Sequence, residues 1–392
     1  MKSNIRPLVT VAVLVYKNVQ YIKDCVGSVL EQDYPNIQLV ICDDGSGDFD
    51  KSLVEQFVYQ NNKGNIESIV VHAMEKNVGT CRNFNYALGC SKGKYVKFIA
   101  ADDLFFDKDS LSKLVDAAES EKSNVVIARA PNYDMYLERK ERIYPSDEHW
   151  SQMKNASNNQ KKFFGIMSQY CLISAPSVLF NREFLKRMGG ADERYHLIED
   201  WPLWMRMLRM GEKFTFLDEA VVIYRSGGVS NGQNNDSYAK HQIEYADVIK
   251  YECLAYPEAF ADKKQYKLAE ISERKHRAEG ERLLNVRSKK LSLTCLKRKS
   301  KKICDIFKPY IVEIFRKKKA IFLAGCMLLM VWNVTDFDKL LCFAISTNMA
   351  LKYSMVLYYS GMIVGEFLLA LGIVSYLITL PVKLWNTIKY TS

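Results

Sequence analysis

The sequence has no Cys-x-x-Cys pair, no Cys/His run at metal-ligand spacing and no apolar leader near its first residue, although it holds ten cysteines in 392 residues. Neither a structural zinc site nor a disulfide framework is therefore signalled, and the thiols are expected to be reduced and mostly buried. Histidine is scarce. His72, His149, His196, His241 and His276 are scattered without metal-ligand spacing, and only His196 lies near a candidate catalytic residue. A net basic charge is also missing from most of the chain. Residues 286–319 carry 13 Lys or Arg against Asp305 and Glu313, and this local +11 exceeds the chain's +10, leaving −1 elsewhere. A nucleic-acid-binding domain spreads its cations over a folded face, so nucleic acid is not an expected partner.

What is there is a regular alternation over the first 230 residues. Apolar runs at 8–15, 37–42, 68–71, 95–100 and 125–128 alternate with amphipathic segments near 19–32, 49–62, 79–91 and 109–121. Short β-branched runs separated by helices predict an α/β fold with a mainly parallel sheet covered by helices. The stretch 130–175 loses this periodicity and reads as connecting structure or a lid on the acceptor side. The pattern returns at 177–180 and ends near Tyr224, which predicts a nucleotide-binding style of domain over 1–235.

Residues 236–319 read as a helical and basic linker leading away from that domain, and 320–392 as a membrane region. Residues 320–335 carry no charge and 353–382 carry only Glu366. These predict two transmembrane helices, or one span and a re-entrant helix. The Lys/Arg run before the first and Lys383 and Lys389 after the second predict cytoplasmic ends.

Two acidic motifs sit where ligands bind in open α/β sheets, at the carboxyl ends of strands, and a third stands at a helix start. Asp43-Asp44-Gly45-Ser46 follows the second apolar run and Asp102-Asp103 the fourth. Adjacent acids after a strand can supply oxygen ligands to Mg²⁺ or Mn²⁺, which in turn neutralise a diphosphate; they can equally form a turn or cap a helix. Glu199-Asp200 precedes Trp201-Pro202 at a helix start, where a carboxylate can cap the helix or act as a general base. Arg82, after Asn77-Val78-Gly79-Thr80, has a planar fork suited to phosphate oxygens.

In their order and spacing, VTVAVLVYKNVQYIKDCVGSVLEQDYPNIQLVICDDGSGD, NVGTCRNFNYALGCSKGKYVKFIAADD and GGADERYHLIEDWPLWMRM resemble family 2 glycosyltransferases over about residues 8–230. The resemblance implies a GT-A fold, a nucleotide-sugar donor and a divalent cation, Mn²⁺ or Mg²⁺. It implies donor contacts by Tyr16, Asp43, Asp44, Arg82, Asp102 and Arg225, metal ligation by Asp103 and Asp102, and Asp200 as catalytic base supported by Glu199. Two positions depart from the family: Leu14-Val15 replaces a common Pro-Thr, and Ala100 stands where a further Asp is frequent.

The expected activity is inverting sugar transfer, from a UDP-sugar to a hydroxyl of a lipid-linked glycan, at the cytoplasmic face of the cell membrane. Direct transfer to polyprenyl phosphate and a catalytically silent nucleotide-sugar-binding scaffold are the alternatives.

Overall fold

The computed structural model describes residues 6–134, 139–225 and 236–285, all within one compact unit, Met1–Ser288. Its first half is a doubly wound sheet. β1 (Val9–Val15), β2 (Ile37–Asp43), β3 (Ile66–Ala73) and β4 (Tyr95–Ala100) are linked by α1 (Ile22–Leu30), α2 (Lys51–Asn61) and α3 (Thr80–Cys90). They lie in the order β3-β2-β1-β4, all parallel. β1 and β2 are buried almost throughout and apolar but for Thr10, Gln38 and the terminal Asp43, because both faces are covered; Thr10 Oγ1 donates to Gln38 Oε1 at 2.7 Å. α1 buries Ile22, Cys25, Val26, Val29 and Leu30, a helical stripe laid on one face of the sheet.

That order fixes where a ligand can enter. The chain steps from β1 to β2 to β3 in one direction and then crosses to place β4 on the other side of β1. The carboxyl ends of β1 and β4 thus flank the point where the winding reverses, the crevice that open α/β sheets use for ligands.

The second half extends the sheet with mixed directions. β5 (Leu104–Phe105) and α4 (Ser110–Ser120) lead to β6 (Val125–Asp134), which pairs antiparallel with β7 (Arg139–Tyr144) and β8 (Val178–Asn181) and parallel with β9 (Thr215–Ala220). β10 (Val222–Arg225) joins β6 to β5. Between β7 and β8 stand α5 (Asp147–Ala156) and α6 (Gln160–Met167), and between β8 and β9 stand α7 (Arg182–Arg187) and α8 (Trp201–Arg209).

Two sequence expectations change here. Among its described residues the stretch 130–175 is largely strand and helix: α5 and α6 bury Trp150, Met153, Phe163, Phe164 and Met167. Few apolar residues spaced at helical intervals in a polar background suffice, because each is large. The boundary at 235 also moves. α9 (Asp236–Val248), a π-helical turn at Ile249–Leu254 and a helix over 263–285 (α10) pack onto the domain, burying Val248, Ile249, Cys253, Phe260 and Ala269 in the core shared with α8. These residues belong to the body of the domain rather than to a linker. The basic run 286–319 and the apolar segments 320–335 and 353–382 lie outside the described residues. Among the described residues, no helix is long and apolar enough to cross a membrane.

Candidate active site

The Asp43-Asp44 and Asp102-Asp103 loops flank the carboxyl end of β1, next to the crevice between β1 and β4. Val15 pairs with Asp43 and Leu14 with Ala100, so all three strands end at one level. The loop after β1 is tied to both neighbours. Lys17 N donates to Ser46 Oγ at 2.8 Å, and Asn18 Nδ2 donates to Asp102 Oδ2 at 2.9 Å. Tyr16, which follows the last residue of β1, is partly exposed, and the Lys17 ammonium lies 5.0 Å from its ring.

Within each acid pair the two carboxylates have different surroundings. Asp44 is committed to the fold. Its Oδ1 accepts from Val78 N at 2.6 Å, and its Oδ2 from Asn77 Nδ2 at 2.7 Å and Gly79 N at 3.1 Å. Asp43 turns the other way: Oδ2 accepts from Ser46 N at 2.8 Å, while Oδ1 is buried with no protein partner. A buried acceptor without a donor is costly and calls for a ligand or water to complete it.

Asp103 is buried, with Oδ1 accepting from Arg225 N at 3.1 Å and Oδ2 unpartnered, whereas Asp102 is half-buried at the crevice. Burial, then the charge of Asp102, pushes Asp103 well above the ordinary carboxylate range, and burial also raises Asp102. Lys97, fully buried on β4, lies beneath. Its ammonium donates to the carbonyls of Phe98 at 2.8 Å and Pro176, and burial pulls it down to about 7 against the opposing pull of Asp103.

Arg225 closes this side. Its Nε donates to the Asp102 carbonyl at 2.9 Å, its Nη2 lies 3.4 Å from Asp24 Oδ2, and its guanidinium covers the Tyr21 ring at 4.0 Å. Arg82 points elsewhere. It is exposed on α3 and pairs with Glu193 at 3.3 Å.

The loop that carries Glu199 and Asp200 is joined to the Asp44 loop through the turn at 77–80. Asp44 holds one side of that turn, and on the other Thr80 N donates to His196 O at 2.8 Å. Two glycines make the approach possible. Gly45 has φ +74°, and a Cβ there would lie 2.6 Å from Asn77 N; Gly79 has φ +96°, and a Cβ would lie 2.8 Å from His196 O and closer still to the imidazole. Gly79→Ala combines a left-handed backbone with that collision and is expected to cost about 1–3 kcal/mol. Chemical denaturation measures it, and an unchanged midpoint would mean that the three loops do not depend on this contact.

Asp200 caps α8. Its Oδ1 accepts from Trp201 N at 2.6 Å, and Oδ2 lies 3.5 Å from the Cys171 thiol. Burial pushes both Asp200 and Glu199 upward, and Asp200's charge raises Glu199 further. The pair therefore keeps one proton above the usual carboxylate range, with Asp200, which has the hydrogen-bond donors, ionising first. Asn18, Lys97, Cys171 and Tyr21 were invisible as site residues in the sequence, where none stands in an acidic motif.

Residues 10–188 match the family described as Glycosyl transferase family 2. The chain is a glycosyltransferase, with its family 2 domain over that span. This glycosyltransferase is 26% identical over 257 residues to an uncharacterized glycosyltransferase of Haemophilus influenzae, spanning 64% of this chain and 74% of that protein. It is 27% identical over 243 residues, 62% of this chain and 86% of the other, to the Escherichia coli UDP-Glc:alpha-D-GlcNAc-diphosphoundecaprenol beta-1,3-glucosyltransferase WfaP. Among solved structures, the mannosyltransferase PcManGT of Pyrobaculum calidifontis in complex with GDP-Man and Mn²⁺ aligns at 18% identity with a TM-score of 0.48, over 78% of this chain and 83% of that one. The glycosyltransferase has the α/β, GT-A-like architecture expected of the family, with a mixed rather than mainly parallel sheet.

Proposed function

We propose that the protein transfers a sugar, with inversion, from a UDP-sugar to a hydroxyl of a lipid-linked glycan. The observation that carries the reading is the hydrogen-bonded chain that joins the three acid-bearing loops, from Asp102 through Asn18 and Lys17–Ser46 to the Asp43-Asp44 loop, and from Asp44 through the turn at 77–80 to the loop of Glu199 and Asp200. Asp43, with an unpartnered Oδ1, suits a nucleobase N–H, and the Tyr16 ring a base face. WfaP, whose name specifies a UDP-sugar and a diphosphoundecaprenol-linked acceptor, supports the choice of substrates.

A divalent cation fits the residues present. Asp102 and Asp103 offer hard oxygens, one of them unpartnered; burial raises both, and the charge of Asp102 raises Asp103 further, so a cation would stabilise their ionised forms. Among the described residues no cluster of three or more His, Cys, Asp or Glu could hold a metal alone. That suits Mg²⁺ or Mn²⁺, which bind through one or two carboxylates and complete their shell with substrate phosphates and water. Asp102, the more open, would be the main ligand. The bound ion would neutralise the diphosphate that leaves.

The chain's own residues do the rest. Asp200 takes the proton of the acceptor hydroxyl, whose oxygen attacks the anomeric carbon as the bond to the diphosphate oxygen breaks, releasing UDP. Arg225, fixed beside Asp102, supplies positive charge at the leaving group. We place the reaction at the cytoplasmic face of the membrane, where soluble nucleotide sugar and lipid-linked acceptor meet; the basic run 286–319 supports this through its attraction to anionic lipid.

A thermal-shift screen of UDP- and GDP-sugars, with and without Mn²⁺, tests donor and metal together. Stabilisation by UDP-sugars that grows with Mn²⁺ is expected. A response to GDP-sugars alone, or to none, would overturn the donor assignment.

A further inference from the structure

α9 lies beyond the family domain, and its Glu244 reaches the loop that carries Glu199 and Asp200. Its carboxylate accepts three successive backbone N–H groups: His196 at 3.0 Å on Oε1, and Leu197 at 2.9 Å and Ile198 at 3.2 Å on Oε2. The next two residues are Glu199 and Asp200. This loop contains no helix or strand between Arg187 and Trp201, so its amides have no ladder to hold them. On its other side, the His196 carbonyl accepts from Thr80 N, in the turn that Asp44 secures. The peptide before the acid pair is therefore gripped from both directions.

The next residue of α9 reinforces the contact. Tyr245 packs edge-on against Trp201, the first residue of the helix that Asp200 caps, with ring centroids 5.2 Å apart. α9 thus grips the acid-bearing loop immediately before Glu199 and immediately after Asp200.

We infer that Glu244 is a positioning residue for Asp200: it fixes the 196–198 backbone so that the carboxylate meets the acceptor hydroxyl, without touching substrate itself. This rests on the reading of Asp200 as the base. Three charge-assisted hydrogen bonds to one carboxylate form a rigid mount, and a base displaced by about 1 Å loses on the order of 100-fold in rate.

Glu244→Gln tests this in the full chain. It keeps the side chain's shape but turns an amide NH₂ toward one set of N–H donors. Hydrogen exchange of the amides of 196–198 requires no ligand and is expected to speed up by about tenfold or more while β1 and β4 amides hold their protection. UDP release from the UDP-sugar that stabilises the protein most should show kcat down by about 10- to 100-fold with the donor KM changed by less than about threefold.

Unchanged exchange at 196–198 overturns the inference, as does a kcat at the wild-type level. So does a kcat loss matched by a global loss of protection, which would mark Glu244 as a fold residue only. Asp200→Asn measured alongside separates the two readings. If that variant still turns over, the base assignment fails, whereas the exchange result continues to report on the Glu244 mount.

Discussion

Asp200→Asn is expected to lower kcat by about 100-fold or more while leaving UDP-sugar binding within a few-fold of wild type. Asn keeps the size of the side chain and can still accept from Trp201 N, so α8 remains capped. What it lacks is a site for the acceptor's proton. Glu199→Gln makes the opposite case. Asp200's charge and burial keep Glu199 protonated, and a protonated Glu and a Gln present similar groups. Glu199→Gln should therefore turn over at a near-normal rate at neutral pH.

The pH profile carries the same asymmetry. A base raised above its ordinary value of about 4 is protonated, and idle, over a wider acidic range. The acidic limb of kcat/KM should then lie above the usual carboxylate range, with rate falling as pH drops through it. Full turnover by Asp200→Asn would dismiss the base, whatever the limb did.

The second large effect is at the other end of the crevice. Asp102→Ala should abolish Mn²⁺-dependent stabilisation by a UDP-sugar and lower kcat/KM by about 100-fold or more, the scale at which loss of a charge stabiliser is felt. Asp103→Asn should be milder in folding than a buried-charge deletion. The Asp103 carboxyl is pushed toward its neutral form, and an Asn oxygen can still accept from Arg225 N. Equal losses of metal response in Asp102→Ala and Asp103→Asn would contradict the division of labour between them. An Asp102→Ala protein that still responds to Mn²⁺ would remove Asp102 from the metal site.

How much of this was legible follows from how each element is stabilised. β1, β2 and β4 could be read directly because a strand covered on both faces is a near-continuous apolar run, broken here only by Thr10, Gln38 and Lys97, and the acids at their ends inherit that certainty of place. α5 and α6 were not legible, since a few large side chains such as Trp150, Phe163 and Phe164 anchor helices that are otherwise polar. α9 and α10 resembled a linker for a related reason: polar over most of their length, they bury only a narrow stripe of mostly small residues, Ala239, Ala246 and Ala269 among them. Arg82 shows a different limit. Its fork suits a phosphate, but on α3 it faces Glu193, a partner more than a hundred residues away that no local pattern names.

By itself the sequence determined which carboxylates end the strands and in what order they follow, because backbone pairing and hydrophobic periodicity are local properties of the chain. Only the tertiary structure decided which member of each pair is open. Asp43 and Asp44 are neighbours with the same chemistry, yet Asp44 is saturated by N–H groups from residues 77–79 while Asp43 keeps an oxygen unpartnered. Asp103 sinks beneath Arg225 while Asp102 stays half-buried at the crevice. The mount on the base loop likewise comes from Glu244, over forty residues further on. A carboxylate's role depends on which donors and charges surround it, and those arrive from segments that meet only when the chain has folded.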